Sequence, residues 1–167
     1  MVPLLKQVFD TQKPFYTKQE IALILGMTTD DIDSTFLSRV SDKSLDQFKL
    51  YQRALHVYEE AERVYRFKQI ANDSNQADVM MLGQLMSESH LSCKDLYDCS
   101  HDKLDELVEV AMCSGALGSR LTGAGWGGCI VSLVPDKKSQ EFESKMNTFS
   151  KFNCKSKPSQ GAAIYKL

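Results

Sequence analysis

Apolar side chains recur at steps of three and four over residues 44–71: Phe48, Tyr51, Leu55, Tyr58, Ala61, Val64 or Tyr65, and Phe67. Residues so spaced share one face of an α-helix, so this segment is expected to be the longest element, with a single apolar stripe to bury. Asn72-Asp73-Ser74-Asn75 interrupts the pattern, which returns over residues 77–89 with Met81, Leu82, Leu85 and Met86 on one side. Two such runs joined by a short polar break predict an antiparallel helical hairpin. Residues 102–114 repeat the period through Leu104, Leu107, Val108, Ala111 and Met112, and Gly115 stands where a helix-ending glycine belongs.

Shorter signals flank these runs. Thr17-Lys18-Gln19-Glu20 has the form of a capping box before a short helix over residues 21–25, which Gly26 ends. A second short helix over residues 28–37 is capped by Thr28 or Thr29. Beyond Gly115 the period shortens: residues 117–122, 129–134 and 162–166 read as strands, with a helix from 136 to about 151 between the last two. Pro135 stops the second strand and Asp136 is the expected N-cap. Cys129-Ile130-Val131, apolar throughout, fits a strand covered on both faces. The expected fold class is α+β in one domain over residues 1–167, with a small helical insert at 14–43, helices at 44–115 and a sheet with one helix at 116–167.

Composition narrows the function classes. At 167 residues and 43% hydrophobic, the chain is long enough to bury a core. A net charge of −2 argues against a nucleic-acid or basic membrane-binding surface. There is no signal segment and no run of ~20 apolar residues, so a cytoplasmic address is expected. Five cysteines at irregular spacing read as reduced, buried thiols.

The most specific chemical feature is Ser119-Arg120-Leu121-Thr122-Gly123-Ala124-Gly125-Trp126-Gly127-Gly128, placed directly before a β-branched run. Glycines clustered beside a strand imply positive φ values, or a ligand or backbone lying where a Cβ would collide. Gly123, Gly125 and Gly128 also fit G-x-G-x-x-G, but a dinucleotide turn follows a strand and opens a helix, whereas a strand follows here. No Lys-Ser/Thr pair follows, which excludes a Walker loop. A plain β-turn is the simple alternative. Against it stand a cation and a hydroxyl just upstream, which with the loop's N–H groups suit an anion such as phosphate. Gly123, Ala124, Gly125, Gly127 and Gly128 are the candidate phosphate or substrate-cleft loop, with Ser119, Arg120 and Thr122 in support. Arg120 has an alternative role, pairing with a carboxylate in the sheet.

This stretch resembles the third signature motif of the galactokinase branch of the GHMP small-molecule kinases. Phe48-Lys49-Leu50-Tyr51-Gln52-Arg53-Ala54-Leu55-His56-Val57-Tyr58-Glu59-Glu60-Ala61 is similar to the long helix of that family's C-terminal domain. Residues 82–97, Leu-Gly-Gln-Leu-Met-Ser-Glu-Ser-His-Leu-Ser-Cys-Lys-Asp-Leu-Tyr, resemble the family in the same way. The similarity runs over about residues 16–165, with the three motifs in order. Within the branch, the wording Tyr-Gln-Arg-Ala and Gly-Trp-Gly-Gly-Cys is closest to the kinases that act on N-acetylgalactosamine.

The resemblance implies the ferredoxin-like C-terminal half of the GHMP fold: a helical hairpin plus a small antiparallel sheet covered by helices. It also implies phosphoryl transfer from ATP, with Mg2+, to the anomeric hydroxyl of N-acetylgalactosamine or galactose. The family's sugar-binding motif, its phosphate loop, and its catalytic Asp and stabilising Arg belong to an N-terminal half whose motifs these residues do not carry. The expected partner is therefore that N-terminal kinase domain, in cis or in trans. No catalytic residue is expected in these residues, and the chain alone is expected to be inactive. A non-catalytic sensor of the same fold, or an inactive fragment, is the alternative. The sheet is expected to be short of one upstream strand, leaving an edge exposed.

Other candidates are weaker. His90-x-x-Cys93 and Cys99-x-His101 have a zinc-like composition but not the spacing of a zinc module, so no metal site is expected. His90 and Ser92 are expected to hydrogen-bond near a helix end, and His56 to pack among aromatics. Glu59, Glu60, Glu62 and Arg63 read as a solvated helix face, and Met80, Met81 and Met86 as core filler.

Overall fold

The computed structural model describes residues 2–42, 44–73 and 78–156. In chain order these form α1 (Val2–Val8), α2 (Lys18–Leu25), α3 (Thr29–Thr35), α4 (Leu50–Asn72), α5 (Val79–Asp95), α6 (Asp102–Cys113), β1 (Gly118–Thr122), β2 (Cys129–Leu133), a 3-10 turn (Asp136–Lys138) and α7 (Ser139–Met146). The architecture is α+β: helices packed against a small two-stranded antiparallel sheet. The strand expected at residues 162–166 lies outside the described residues.

Local signals at the short helices act as the sequence implies. Thr17 caps α2 in a reciprocal box with Glu20, and Gly26 ends it at φ 65°. Thr28 caps α3 with Asp31 in the same way. The Lys13 ammonium and the bonds from Thr17 hold the Glu20 carboxyl down at about 2. Helix α1 had no clear sequence signal; Leu5 is buried, and Phe9 just beyond the helix lies edge-on to Tyr16 at 6.0 Å.

Several boundaries differ from expectation. Helix α4 begins at Leu50 rather than near 44, because Phe48 is extended and exchanges two backbone hydrogen bonds with Tyr16 (2.8 and 2.9 Å). Helix α5 runs six residues past Ser89, to Asp95, and that extension carries the buried His90, Ser92 and Cys93. The helix expected from 136 is shorter; Asp136 opens a 3-10 turn behind Pro135 rather than capping α7.

Burial corrects four further expectations. No residue of α4 is fully buried, so its stripe is covered only near Tyr51, Leu55 and Tyr58, while Val64 and Tyr65 are exposed. Strand β2 is covered on one face only, with Cys129 and Val131 exposed and Ile130 half-buried. Cys93 and Cys99 are buried free thiols, but Cys113, Cys129 and Cys154 are exposed. Met80 is also exposed, while Met81 and Met86 are half-buried.

The core lies where α5, α6 and α7 meet the sheet. Cys93, Cys99, Leu104 and Leu121 form one cluster, and Ala111, Ala116 and Met146 another. Ile130 packs against both. Burying Leu121 stabilises the fold by about 2 kcal/mol. Helix α5 approaches β1 backbone to backbone: a Cβ on Gly83 would stand 2.2 Å from the Leu117 carbonyl oxygen, and one on Gly118 would stand 1.9 Å from the Gly83 oxygen. Glycine is required at both positions by space alone.

Candidate functional site

Strands β1 and β2 pair in antiparallel register from Gly118↔Leu133 to Thr122↔Cys129, and residues 123–128 form the hairpin loop between them. No helix starts in the loop, so the dinucleotide-fold alternative fails on geometry. Gly123, Gly125, Gly127 and Gly128 all have positive φ (84°, 84°, 134° and 95°), as does Trp126 at 54°. The glycines then divide. A Cβ on Gly125 would lie 2.0 Å from the Cys99 carbonyl oxygen, so this glycine makes room for the chain's own backbone. Gly123, Gly127 and Gly128 would place a Cβ in open space.

The loop is fastened on one side. The Trp126 backbone N–H donates to Cys99 O (2.7 Å) and its indole Nε1–H donates to Asp98 O (3.0 Å). Asp98 has φ 54°, and its carboxylate accepts from Lys49 Nζ (2.8 Å) and Arg53 Nη2 (2.7 Å). Those two cations hold the Asp98 carboxyl below its usual range. Arg53 also donates to Leu96 O and lies over the Tyr97 ring. The start of α4 is thus linked to the glycine loop through residues 96–99.

Candidate residues on β1 face elsewhere. Ser119 is fully buried, and its hydroxyl meets Ser132 Oγ at 2.8 Å across the sheet. Arg120 Nη1 donates to Glu60 Oε1 (2.8 Å) and its Nε to Leu121 O (3.1 Å), so its carboxylate partner stands on α4 and not in the sheet. Thr122 is exposed at the end of β1, next to the loop. The structure brings Thr122, Gly123, Ala124, Gly125, Gly127 and Gly128 together at one end of the hairpin and sets Ser119 and Arg120 behind it.

Glu60 corrects the reading of Glu59, Glu60, Glu62 and Arg63 as a solvated face. Its side chain is 24% exposed and accepts from Ser89 Oγ (2.7 and 2.8 Å), Arg63 Nε (3.0 Å) and Arg120. Burial disfavours its ionised form, but the bonds from Ser89 and Arg63 and the Arg120 charge outweigh that and lower its pKa. Behind β1, the buried His90 accepts from Leu121 N–H at Nδ1 (3.3 Å) and faces Asp105 with Nε2 (3.3 Å). Burial pushes its pKa down against the pull of Asp105. Asp105 also pairs with Lys94 (2.8 Å). His56 Nδ1 meets Ser92 Oγ at 2.9 Å and its ring lies 4.8 Å from that of Tyr97.

A groove between α4 and α5, lined by Glu59, Arg63, Arg66, Glu88 and Asp95 among others, contains none of the loop residues. Among the described residues no group of three or more His, Cys, Asp or Glu side chains is arranged to hold a metal ion. Among them, too, no helix is long and apolar enough to cross a membrane. Asp98, Cys99, Lys49, Arg53 and Trp126 were missed as site-building residues; only a tryptophan set among glycines offered a local signal, since the other four become partners through tertiary contacts.

Comparison with known proteins identifies the family of the chain. A family model described as GHMP kinases C terminal matches residues 67–151, half of the chain, and the chain belongs to that family. A galactokinase of Dictyostelium discoideum is 40% identical over 160 residues, covering 85% of this chain and 32% of the relative. One of Saccharomyces cerevisiae is 34% identical, covering 100% of this chain and 35% of the relative. The chain therefore spans about a third of the length of the curated relatives it matches. Among solved structures, galactokinase of Lactococcus lactis in complex with galactose superposes with a TM-score of 0.54 at 26% identity, covering 89% of this chain and 34% of that one.

Proposed function

We propose that this chain is the C-terminal domain of a cytoplasmic, ATP-dependent sugar 1-kinase that phosphorylates galactose or N-acetylgalactosamine, and that residues 123–128 form one wall of its cleft. The observation that carries the reading is the asymmetry of the glycine loop. One side is fixed to Asp98 and Cys99, whereas the Cβ positions of Gly123, Gly127 and Gly128 open outward. Backbone without side chains at such a turn suits close approach of a phosphate oxygen, which accepts from N–H groups. The galactokinase relatives support the reaction class.

ATP with Mg2+ supplies the phosphoryl group in such a kinase. Phosphoryl transfer is catalysed mainly by positioning and charge stabilisation, so a rigid wall contributes without providing a base. Gly123, Gly127 and Gly128 would border the phosphates, and Gly125 with Trp126 would hold the wall in place. The acid–base chemistry is assigned to an N-terminal kinase domain acting in cis or in trans. The Tyr51-Gln52-Arg53-Ala54 and Gly125-Trp126-Gly127-Gly128-Cys129 wording favours N-acetylgalactosamine as acceptor beside galactose.

The test is a chimera in which this chain replaces the matching third of the Dictyostelium galactokinase. Coupled ADP release with galactose and with N-acetylgalactosamine is expected to exceed background, while the isolated chain gives none. A folded chimera that binds sugar or ATP without turnover would replace the kinase reading with that of a sensor. Turnover by the purified chain alone would overturn the division of labour.

A further inference from the structure

We infer that Asp98 is a positioning residue for the glycine loop: with Lys49 and Arg53 it forms a strut that carries the start of α4 to Trp126. The inference rests on the kinase reading for its catalytic consequence, but not for its geometry. Three independent observations converge on Asp98. Its backbone sits at φ 54°, a region that few residues other than glycine and asparagine or aspartate occupy without cost. Its carboxylate is held by two cations, Lys49 at the N-cap of α4 and Arg53 in its first turn, at 2.8 and 2.7 Å. Its carbonyl accepts the Trp126 indole N–H at 3.0 Å.

The next residue completes the contact. Cys99 O accepts the Trp126 amide and fills the space that a Gly125 side chain would need. The backbone of 98–99 is therefore a template against which 125–126 is laid, and the ion pairs at Asp98 fix that template. Each pair is about half exposed and weak alone, with side chains 50%, 36% and 40% exposed for Lys49, Arg53 and Asp98. Together they select one geometry for a loop whose other face is open. The strut sets where the wall stands and touches no reacting atom.

Trp126 is the chain's single tryptophan, so its indole N–H gives an unambiguous signal. The experiment follows hydrogen exchange of the Trp126 indole and backbone N–H by NMR in the full chain, comparing the parent with Asp98→Asn and Lys49→Ala. Asparagine tolerates the left-handed backbone, so Asp98→Asn removes charge and spares conformation. The expected result is exchange faster by about fivefold in Asp98→Asn, with unchanged far-UV circular dichroism, and a smaller change in Lys49→Ala. In the active chimera the same substitution should raise KM for ATP or lower kcat by a similar factor, leaving KM for sugar unchanged.

Exchange within twofold of the parent in both variants overturns the strut. Should Asp98→Asn fail to fold, Lys49→Ala decides alone by the same criterion. Faster exchange with unaltered kinetics removes the positioning role. An unsubstituted chimera that folds without turnover removes the kinase reading and the strut's catalytic role with it, while the exchange data still judge the strut.

Discussion

From Lys49 to Arg63 the α4 region is tied into the molecule by polar side chains: Lys49 and Arg53 to Asp98, His56 to Ser92, Glu60 to Ser89 and Arg120. From Val64 onward the same helix stands exposed apart from a half-buried Ile70, with Val64 at 60% and Tyr65 at 70%. The difference teaches that the period forms the helix but does not say what covers it. In the first half, charged and hydroxyl groups, which a binary pattern assigns to solvent, make the tertiary connections. The second half is held chiefly by α4's own backbone bonds.

The sharpest way to break the comparison lies opposite α4, where α5 meets β1. Gly83→Val would drive a side chain into the Leu117 carbonyl, and we expect a loss on the order of 4 kcal/mol or more in urea unfolding. Glu60→Ala should come next, at about 2 kcal/mol, because Arg120, Arg63 and Ser89 lose a shared acceptor. Tyr65→Ser in the exposed half should stay within about 0.5 kcal/mol of the parent. Equal costs for Glu60→Ala and Tyr65→Ser would erase the contrast between the two halves.

A pH series sharpens the same point. His90 and His56 both have pKa values lowered from 6.5, chiefly by burial, so their neutral forms are favoured in the fold. Their contribution is complete above pH 6.5 and is lost as pH falls from there through the folded values, because the unfolded chain takes up protons first. Unfolding free energy should therefore decline below pH 6.5, and His90→Gln should flatten that decline. An unchanged slope in His90→Gln would show that the Leu121 and Asp105 contacts do not depend on the neutral ring.

Much of this was legible in the chain. The capping box at Thr17, the threonine cap expected at Thr28 or Thr29 and the glycine at 26 act within a few residues, so their geometry is written locally. The hairpin around Gly123 to Gly128 was legible for the same reason, since φ values are a local property. What was not legible depends on partners far away in sequence. Phe48 leaves the helix because Tyr16 offers a backbone pair, and Glu60 leaves solvent because Arg120 and Ser89 arrive beside it. The roles of Gly83, Asp98 and Cys99 exist only after α5 and the hairpin have been placed.

The central claim is that the open side of the glycine loop borders the transferred phosphate. Its most direct test is ADP release by the chimera carrying Gly127→Val, beside a melting curve of the same protein. Gly127 has open space around its Cβ position, so the substitution strains φ locally and projects a branched side chain into the space beside the loop. The expected result is turnover reduced about 100-fold with the fold retained. Full turnover in a folded Gly127→Val chimera would contradict the claim and leave the glycines as turn residues alone.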